Sequence, residues 1–198
     1  MKILAFISHK GGTGKSTLSI HLSVAAEQQG LETLLVDLDS ISSTTSEWAS
    51  VRDQEKPLTI TAQLSDVQAL CKQAENEGFD LLILDFPPYF SDDVLDALVE
   101  VDQALIPISP RFPELQSLSK YIDSIKQNYS LLLNTCTGEE VESIDHMLWE
   151  NNLPVSTVKI SRLEALAEAL SHGKGVSEFE PNGKAAGEIQ QLLENLIN

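Results

Sequence analysis

Two rhythms alternate along this chain. Short, dense apolar runs are separated by longer stretches in which apolar residues return every three or four positions, the spacing of one helix face. The short runs predict strands over Lys2–Ile7, Thr33–Asp37, Leu58–Thr61, Leu81–Asp85, Gln103–Ile108, Leu131–Asn134 and Val155–Thr157. Several are apolar throughout rather than alternating, and Leu81-Leu82-Ile83-Leu84 is the clearest. A strand that is apolar on both faces belongs to a parallel sheet covered by helices on each side.

The longer stretches predict those helices. Leu18, Leu22, Ala25 and Ala26 share a face, as do Val67, Leu70, Cys71 and Ala74 behind an N-cap at Ser65. Further stripes are Leu115, Leu118, Ile122 and Ile125 after Pro113; Val141, Ile144 and Leu148; Leu163, Leu166, Ala167 and Leu170; and Ile189, Leu192, Leu193 and Leu196 within a final helix Ala185–Asn198. Gly30 and Gly78 fall where helices end. Ser40–Lys56 reads as a polar, partly mobile segment, and Trp48 and Trp149 as packing residues. Strand–helix alternation over residues 1–198 predicts a single α/β domain with a doubly wound, mostly parallel sheet flanked by helices.

Composition narrows the function classes. The 198 residues are 42% hydrophobic and 22% charged, as in a globular protein with a sizeable core. No apolar run reaches the roughly 18 residues of a membrane span, so the expected location is the cytoplasm, with no membrane partner. Cys71 and Cys136 lack metal or redox spacing, and His9, His21, His146 and His172 form no cluster. The net charge of −17 opposes general binding to nucleic acid or anionic membrane, although a local basic patch is compatible with it.

The chemistry concentrates after the first strand, in Ser8-His9-Lys10-Gly11-Gly12-Thr13-Gly14-Lys15-Ser16-Thr17. A phosphate-binding loop reads G-x-x-x-x-G-K-[ST], and here His9 stands at the first glycine. The context is nonetheless that of such a loop, an apolar strand before and an amphipathic helix after. Gly11, Gly12 and Gly14 let backbone N–H groups turn toward phosphate oxygens, and the helix N-terminus adds its dipole. Lys15 would hold the β- and γ-phosphates, Ser16 would give its hydroxyl to Mg²⁺, and Thr17 would reach the α-phosphate. Asp85 ends an apolar strand, where a carboxylate near the metal is required. Asp37 and Asp39, two apart at the end of another strand, share a direction; one would orient metal-bound water and the other the attacking water. Asn134 ends a β-run, where its amide suits either an adenine edge or an Asx-turn.

Together these pieces resemble the ParA/MinD family of deviant-Walker ATPases. Lys10-Gly11-Gly12-Thr13-Gly14-Lys15-Ser16 matches K-G-G-x-G-K-[ST], "DLD" at Asp37–Asp39 and "LILDFPP" through Asp85-Phe86-Pro87-Pro88 match the next two motifs, and "HGKGVSEFEPNGKAAGEIQQL" is similar to the end of short ParA proteins. The resemblance spans essentially the whole chain. It implies a P-loop ATPase whose ATP-bound homodimer sandwiches two nucleotides. Lys10 would be the signature lysine that reaches the partner's nucleotide. Asp39 would position the attacking water, and Asp37 would support the Mg²⁺ shell. It also implies cargo positioning (plasmid, chromosome origin, carboxysome or chemoreceptor cluster) on non-specific nucleoid DNA. A cargo-adaptor protein would stimulate hydrolysis.

The chain departs from the family where Ser40-Ile41 replaces the usual Pro-Gln. It also carries neither an N-terminal helix-turn-helix nor a basic amphipathic C-terminal anchor. Candidate DNA contacts are Lys159, Arg162, Lys174 and Lys184, interleaved with Glu164, Glu168, Glu178 and Glu180. The alternatives are a DNA-independent switch acting through a protein partner, and a metabolic ligase of the dethiobiotin synthetase type. An iron–sulfur carrier is disfavoured because two isolated cysteines do not supply the ligands.

Overall fold

The computed structural model describes residues 1–109, 118, 121–137, 144, 148 and 152–197. Six strands form one sheet in the order β3-β2-β4-β1-β5-β6, and every pairing is parallel. They are β1 (Lys2–Phe6), β2 (Thr33–Asp37), β3 (Leu58–Thr61), β4 (Leu81–Asp85), β5 (Gln103–Ile108) and β6 (Tyr129–Leu133). Five agree with the apolar runs to within one residue. β6 starts two residues earlier than expected because Tyr129 and Ser130 pair with Ala104 and Leu105. It stops before Asn134, where Thr135 turns to φ 56°. The strand expected at Val155–Thr157 is only an isolated bridge from Val155 to Leu131. Pro154 there has no N–H to extend a ladder.

The double apolar character of the strands has its structural counterpart in two cores. Leu4, Phe6, Leu35, Leu81, Ile83 and Leu105 face one layer, where α1 (Lys15–Gln28) meets the final described helix, Lys184–Ile197. Ala5, Ile7, Leu34, Val36, Leu82 and Leu84 face the other, where α3 (Val67–Glu77) and α4 (Asp92–Ala97) pack. Successive residues of one strand thus serve opposite layers, as a period of two requires.

Two local expectations are corrected. Ser40–Lys56 contains a helix, α2 (Thr44–Val51), whose Trp48 is buried in the first core. Ser65 does not cap α3. A short 3₁₀ turn precedes that helix, and Gln63 and Asp66 close it reciprocally. Gly30 and Gly78 do take positive φ at helix ends. Trp149, His146, Leu115 and Val141 lie outside the described residues; of the two stripes, Leu118, Ile144 and Leu148 are helical, whereas Ile122 sits in a short 3₁₀ turn (Ile122–Ser124) that ends before Ile125.

The topology puts the chemistry in one place. β1 is flanked by β4 and β5, so the order of connection reverses beside it, and the crevice at the strand C-termini opens there. In register, Asp85 lies opposite both Phe6 and Asp37. The glycine loop, Asp37 and Asp85 therefore leave three neighbouring strands at the same edge.

Candidate functional site

The loop from Ser8 to Gly14 is braced from inside. Ser8, 2% exposed, donates its hydroxyl to the Lys10 carbonyl at 2.7 Å and accepts the Thr13 hydroxyl at 3.1 Å. Gly12 and Gly14 take φ of 76° and 94°, the left-handed region that glycine enters without penalty. α1 begins directly afterwards at Lys15, and its Gly14 N-cap supplies no side-chain partner, which leaves the first N–H groups of the helix open to an anion.

The two loop lysines occupy opposite environments. Lys10 is exposed, whereas Lys15 is only 6% exposed. Burial lowers the Lys15 pKa, against the opposing attraction of Asp85 and then Asp39. Both carboxylates therefore belong to the electrostatic surroundings of Lys15, although they come from different strands.

Asp85 is 1% exposed, and burial raises its pKa to about 6, with the Ser16 and Thr45 hydroxyls and the Lys15 charge opposing. Thr45 donates to its Oδ2 at 2.8 Å, while its buried Oδ1 has no hydrogen-bond partner among the described residues. An orphaned carboxylate oxygen beside Ser16 is what a hydrated Mg²⁺ satisfies, since that ion takes one or two protein oxygens and keeps several waters. No cluster of three His, Cys, Asp or Glu able to hold a metal occurs among the described residues.

Asp37 and Asp39 have separate tasks. The Asp37 carboxylate accepts the Asp39 N–H at 3.0 Å on one oxygen, and the Ser46 N–H at 2.9 Å and the Ser46 hydroxyl on the other. It thus caps α2 from outside, because Ser43 offers no side-chain cap. Asp39 accepts the Ile41 and Ser42 N–H groups at 3.1 and 3.2 Å on a single oxygen, Oδ1. Asp37 and Asp39 line a hollow of about 380 Å³ with Ser43, Thr61 and Gln63. A larger groove of about 700 Å³ lies beyond Ser40, between Leu38, Tyr89 and Val99, and has neither the loop nor Lys15 in its walls.

Asn134, offered by the sequence to an adenine edge or an Asx-turn, contacts the glycine loop. Its Nδ2 donates to the Thr13 carbonyl at 2.8 Å, its Oδ1 accepts the Thr135 N–H at 2.9 Å, and the side chain rests on Gly14. The amide braces the loop. His9 also acquires a place: its ring stacks on Tyr121 at 5.5 Å, and Tyr121 stacks on Phe90 at 5.3 Å. Thr45 and Ser46 escaped the sequence reading because no spacing rule marks a serine or threonine that serves a carboxylate from another segment. Of the candidate DNA contacts, Arg162, Lys174 and Lys184 are exposed and Lys159 is half-buried. Lys184 pairs with Glu188 at 3.6 Å.

The comparisons with known proteins agree with this geometry. The model of the CobQ/CobB/MinD/ParA nucleotide binding domain matches residues 4–176. The chromosome-partitioning ATPase Soj of Thermus thermophilus is 24% identical, with 98% of this chain and 94% of that protein covered. The maintenance of carboxysome distribution protein A of Halothiobacillus neapolitanus is 27% identical, with 98% and 95% covered. The septum site-determining protein MinD of Pyrococcus horikoshii, solved with Mg-ADP, superposes with a TM-score of 0.79 at 19% identity, covering 98% of this chain and 95% of that one. No helix among the described residues is long and apolar enough to cross a membrane. A parallel sheet whose reversal point carries a glycine loop, a buried lysine and the carboxylates of two neighbouring strands is thus matched by a family model over most of its length: the chain belongs to the CobQ/CobB/MinD/ParA nucleotide-binding family and is an ATPase of the ParA/MinD partition and positioning type.

Proposed function

We propose that this chain is an ATP-switched positioning ATPase whose ATP-bound homodimer engages non-specific DNA and is released when a cargo-adaptor protein stimulates hydrolysis. The observation that carries the reading is the contrast between the lysines of one loop. Lys15 is buried beside Asp85 and Asp39, and Lys10 is exposed to solvent. The buried lysine serves the chain's own nucleotide. The exposed one is free to serve a nucleotide held by a second copy, as an arginine finger does.

In this reading Gly11, Gly12, Thr13, Gly14, Lys15 and Thr17 hold the phosphates through backbone N–H groups, the ammonium and a hydroxyl. Ser16 and the free Oδ1 of Asp85 hold the Mg²⁺ shell, and the ion, when bound, neutralises charge on the β- and γ-phosphates. Asp39 orients the attacking water. Asp37 acts through Asp39 and α2, since both of its oxygens already accept internal donors. Asn134 fixes the loop. Lys10 from the second copy balances charge on the transferring phosphoryl group, so ATP favours the dimer and hydrolysis dissolves it.

Arg162, Lys174 and Lys184, with Lys159, form the candidate DNA face. The test is a gel shift on random-sequence duplex DNA with ATP, with ADP and without nucleotide, at two salt concentrations. Binding only with ATP is expected. If a dimer makes about six phosphate contacts, log affinity falls with log salt at a slope of roughly −5. The second reading, a switch acting through a protein partner without DNA, is favoured by the net charge of −17 and by the Lys184–Glu188 pair. ATP-driven dimerisation without any shift would select it.

A further inference from the structure

Helix α2 is held at both ends by side chains from other parts of the chain. At its start, Ser46 is bound by Asp37 and Thr45 by Asp85. At its end, the Arg52 guanidinium donates to the Gly173 carbonyl at 2.9 Å and to both oxygens of Glu178 at 2.8 Å. The Arg52 and Glu178 side chains are only 4% and 11% exposed. Arg52 also stands 5.0 Å above the Trp48 ring, and Trp48 Nε1 donates to the Lys174 carbonyl at 3.4 Å.

The far end has little slack. Gly173 takes φ 65°, and a Cβ there would lie 2.7 Å from the Val51 carbonyl oxygen, so the backbones of the turn and of α2 touch. Glu178 accepts the Gly175 N–H at 2.9 Å, and the Val176 N–H donates to the buried His21 on α1 at 3.0 Å.

We infer that Arg52 is a positioning residue that ties the state of Asp37 and Asp85 to the turn Gly173–Glu178, which presents Lys174. The inference rests on the proposed function for what those carboxylates respond to, a nucleotide with a divalent cation. A cation drawing on Asp85, or a change at Asp37, alters the contacts that begin α2. The helix is a rod of about 12 Å, and the Arg52 fork at its other end is directional, so a tilt at one end reaches the other. A ligand moves such an element only through differential contacts. Here those contacts are Thr45–Asp85 and Ser46–Asp37.

Hydrogen exchange on the full chain tests this, comparing the free protein with protein holding Mg²⁺ and a non-hydrolysable ATP analogue. Exchange over residues 173–179 should change at least about threefold in the natural sequence, and less than about 1.5-fold in Thr45→Val and in Arg52→Gln, both still binding a fluorescent nucleotide. Arg52→Lys, which keeps the charge but loses the fork, should fall between. In a Trp149→Phe background, Trp48 emission should respond to Mg²⁺–nucleotide in Arg52→Gln but not in Thr45→Val. If Arg52→Gln does not fold, Thr45→Val carries the test with the Arg52–Glu178 pair intact. Unaltered exchange at 173–179 while nucleotide binds, or a full response in Arg52→Gln, would overturn the inference alone. Absence of nucleotide binding would remove the proposed function and the inference with it.

Discussion

Gly14→Ala probes the loop at its tightest point. An alanine Cβ at position 14 would lie 2.2 Å from Asn134 Nδ2, and the backbone there sits at φ 94°. Holding alanine in the left-handed region costs about 1–2 kcal/mol. Displacing the Asn134 amide breaks its 2.8 Å bond to the Thr13 carbonyl, a further loss of about 1–2 kcal/mol. The sum is about 2–4 kcal/mol. Gly12→Ala is the internal control: its φ is 76° but no atom of the described residues lies within 4 Å of the added Cβ, so only the backbone contribution of about 1–2 kcal/mol applies. Asn134→Ala removes the obstacle, and in that background Gly14→Ala should cost about 1–2 kcal/mol less than it does alone. Urea denaturation without nucleotide reads all four proteins and keeps ligand binding out of the comparison. If Gly14→Ala is no worse than Gly12→Ala, and additive with Asn134→Ala, Asn134 does not brace the loop.

The remaining predictions concern charge and turnover. Burial raises the Asp85 pKa from 3.8 to about 6, so its contribution to stability is full below the ordinary carboxyl range and is lost as pH rises through about 6. Burial lowers the His21 pKa from 6.5 to about 4, so its contribution is present above 6.5 and is lost as pH falls toward 4. The two oppose each other over nearly the same window. On acidification through that window, Asp85→Asn should lose stability relative to the natural sequence and His21→Gln should gain it, each by on the order of 3 kcal/mol in urea titrations; parallel curves would contradict both assignments. Lys15→Ala should abolish the thermal stabilisation by Mg²⁺–ATP, which would otherwise reach about 2.7 kcal/mol at a hundredfold excess over Kd. Asp39→Ala should trap an ATP-bound dimer in sedimentation with hydrolysis lost, and normal turnover would remove Asp39 from the mechanism.

Much of this was legible in the sequence because the relevant physics is local. The apolar runs gave the strands, and the loop motif with two strand-end aspartates gave the site, since parallel strands bring their C-termini to one edge. What escaped depends on contacts distant along the chain. Ser46 bound by Asp37, Thr45 by Asp85 and Arg52 by Glu178 join segments that share no periodicity. The polar segment Ser40–Lys56 therefore looked irregular, although it holds a helix whose N-terminal cap comes from another strand. Asn134 was visible as a strand-end amide, but its contact with the loop depends on how closely Gly14 approaches it.

The central claim is that Lys10 acts on the nucleotide of the other copy, and mixing two inactive variants tests it most directly. Lys10→Ala and Asp39→Ala should each hydrolyse little ATP alone. In an equal mixture, a heterodimer has one complete site, formed by Asp39 of the first variant and Lys10 of the second. Combined before ATP is added, the mixture should recover activity up to the roughly one quarter of the natural rate that random pairing sets. A mixture as inactive as its components would mean that Lys10 works, if at all, within its own chain.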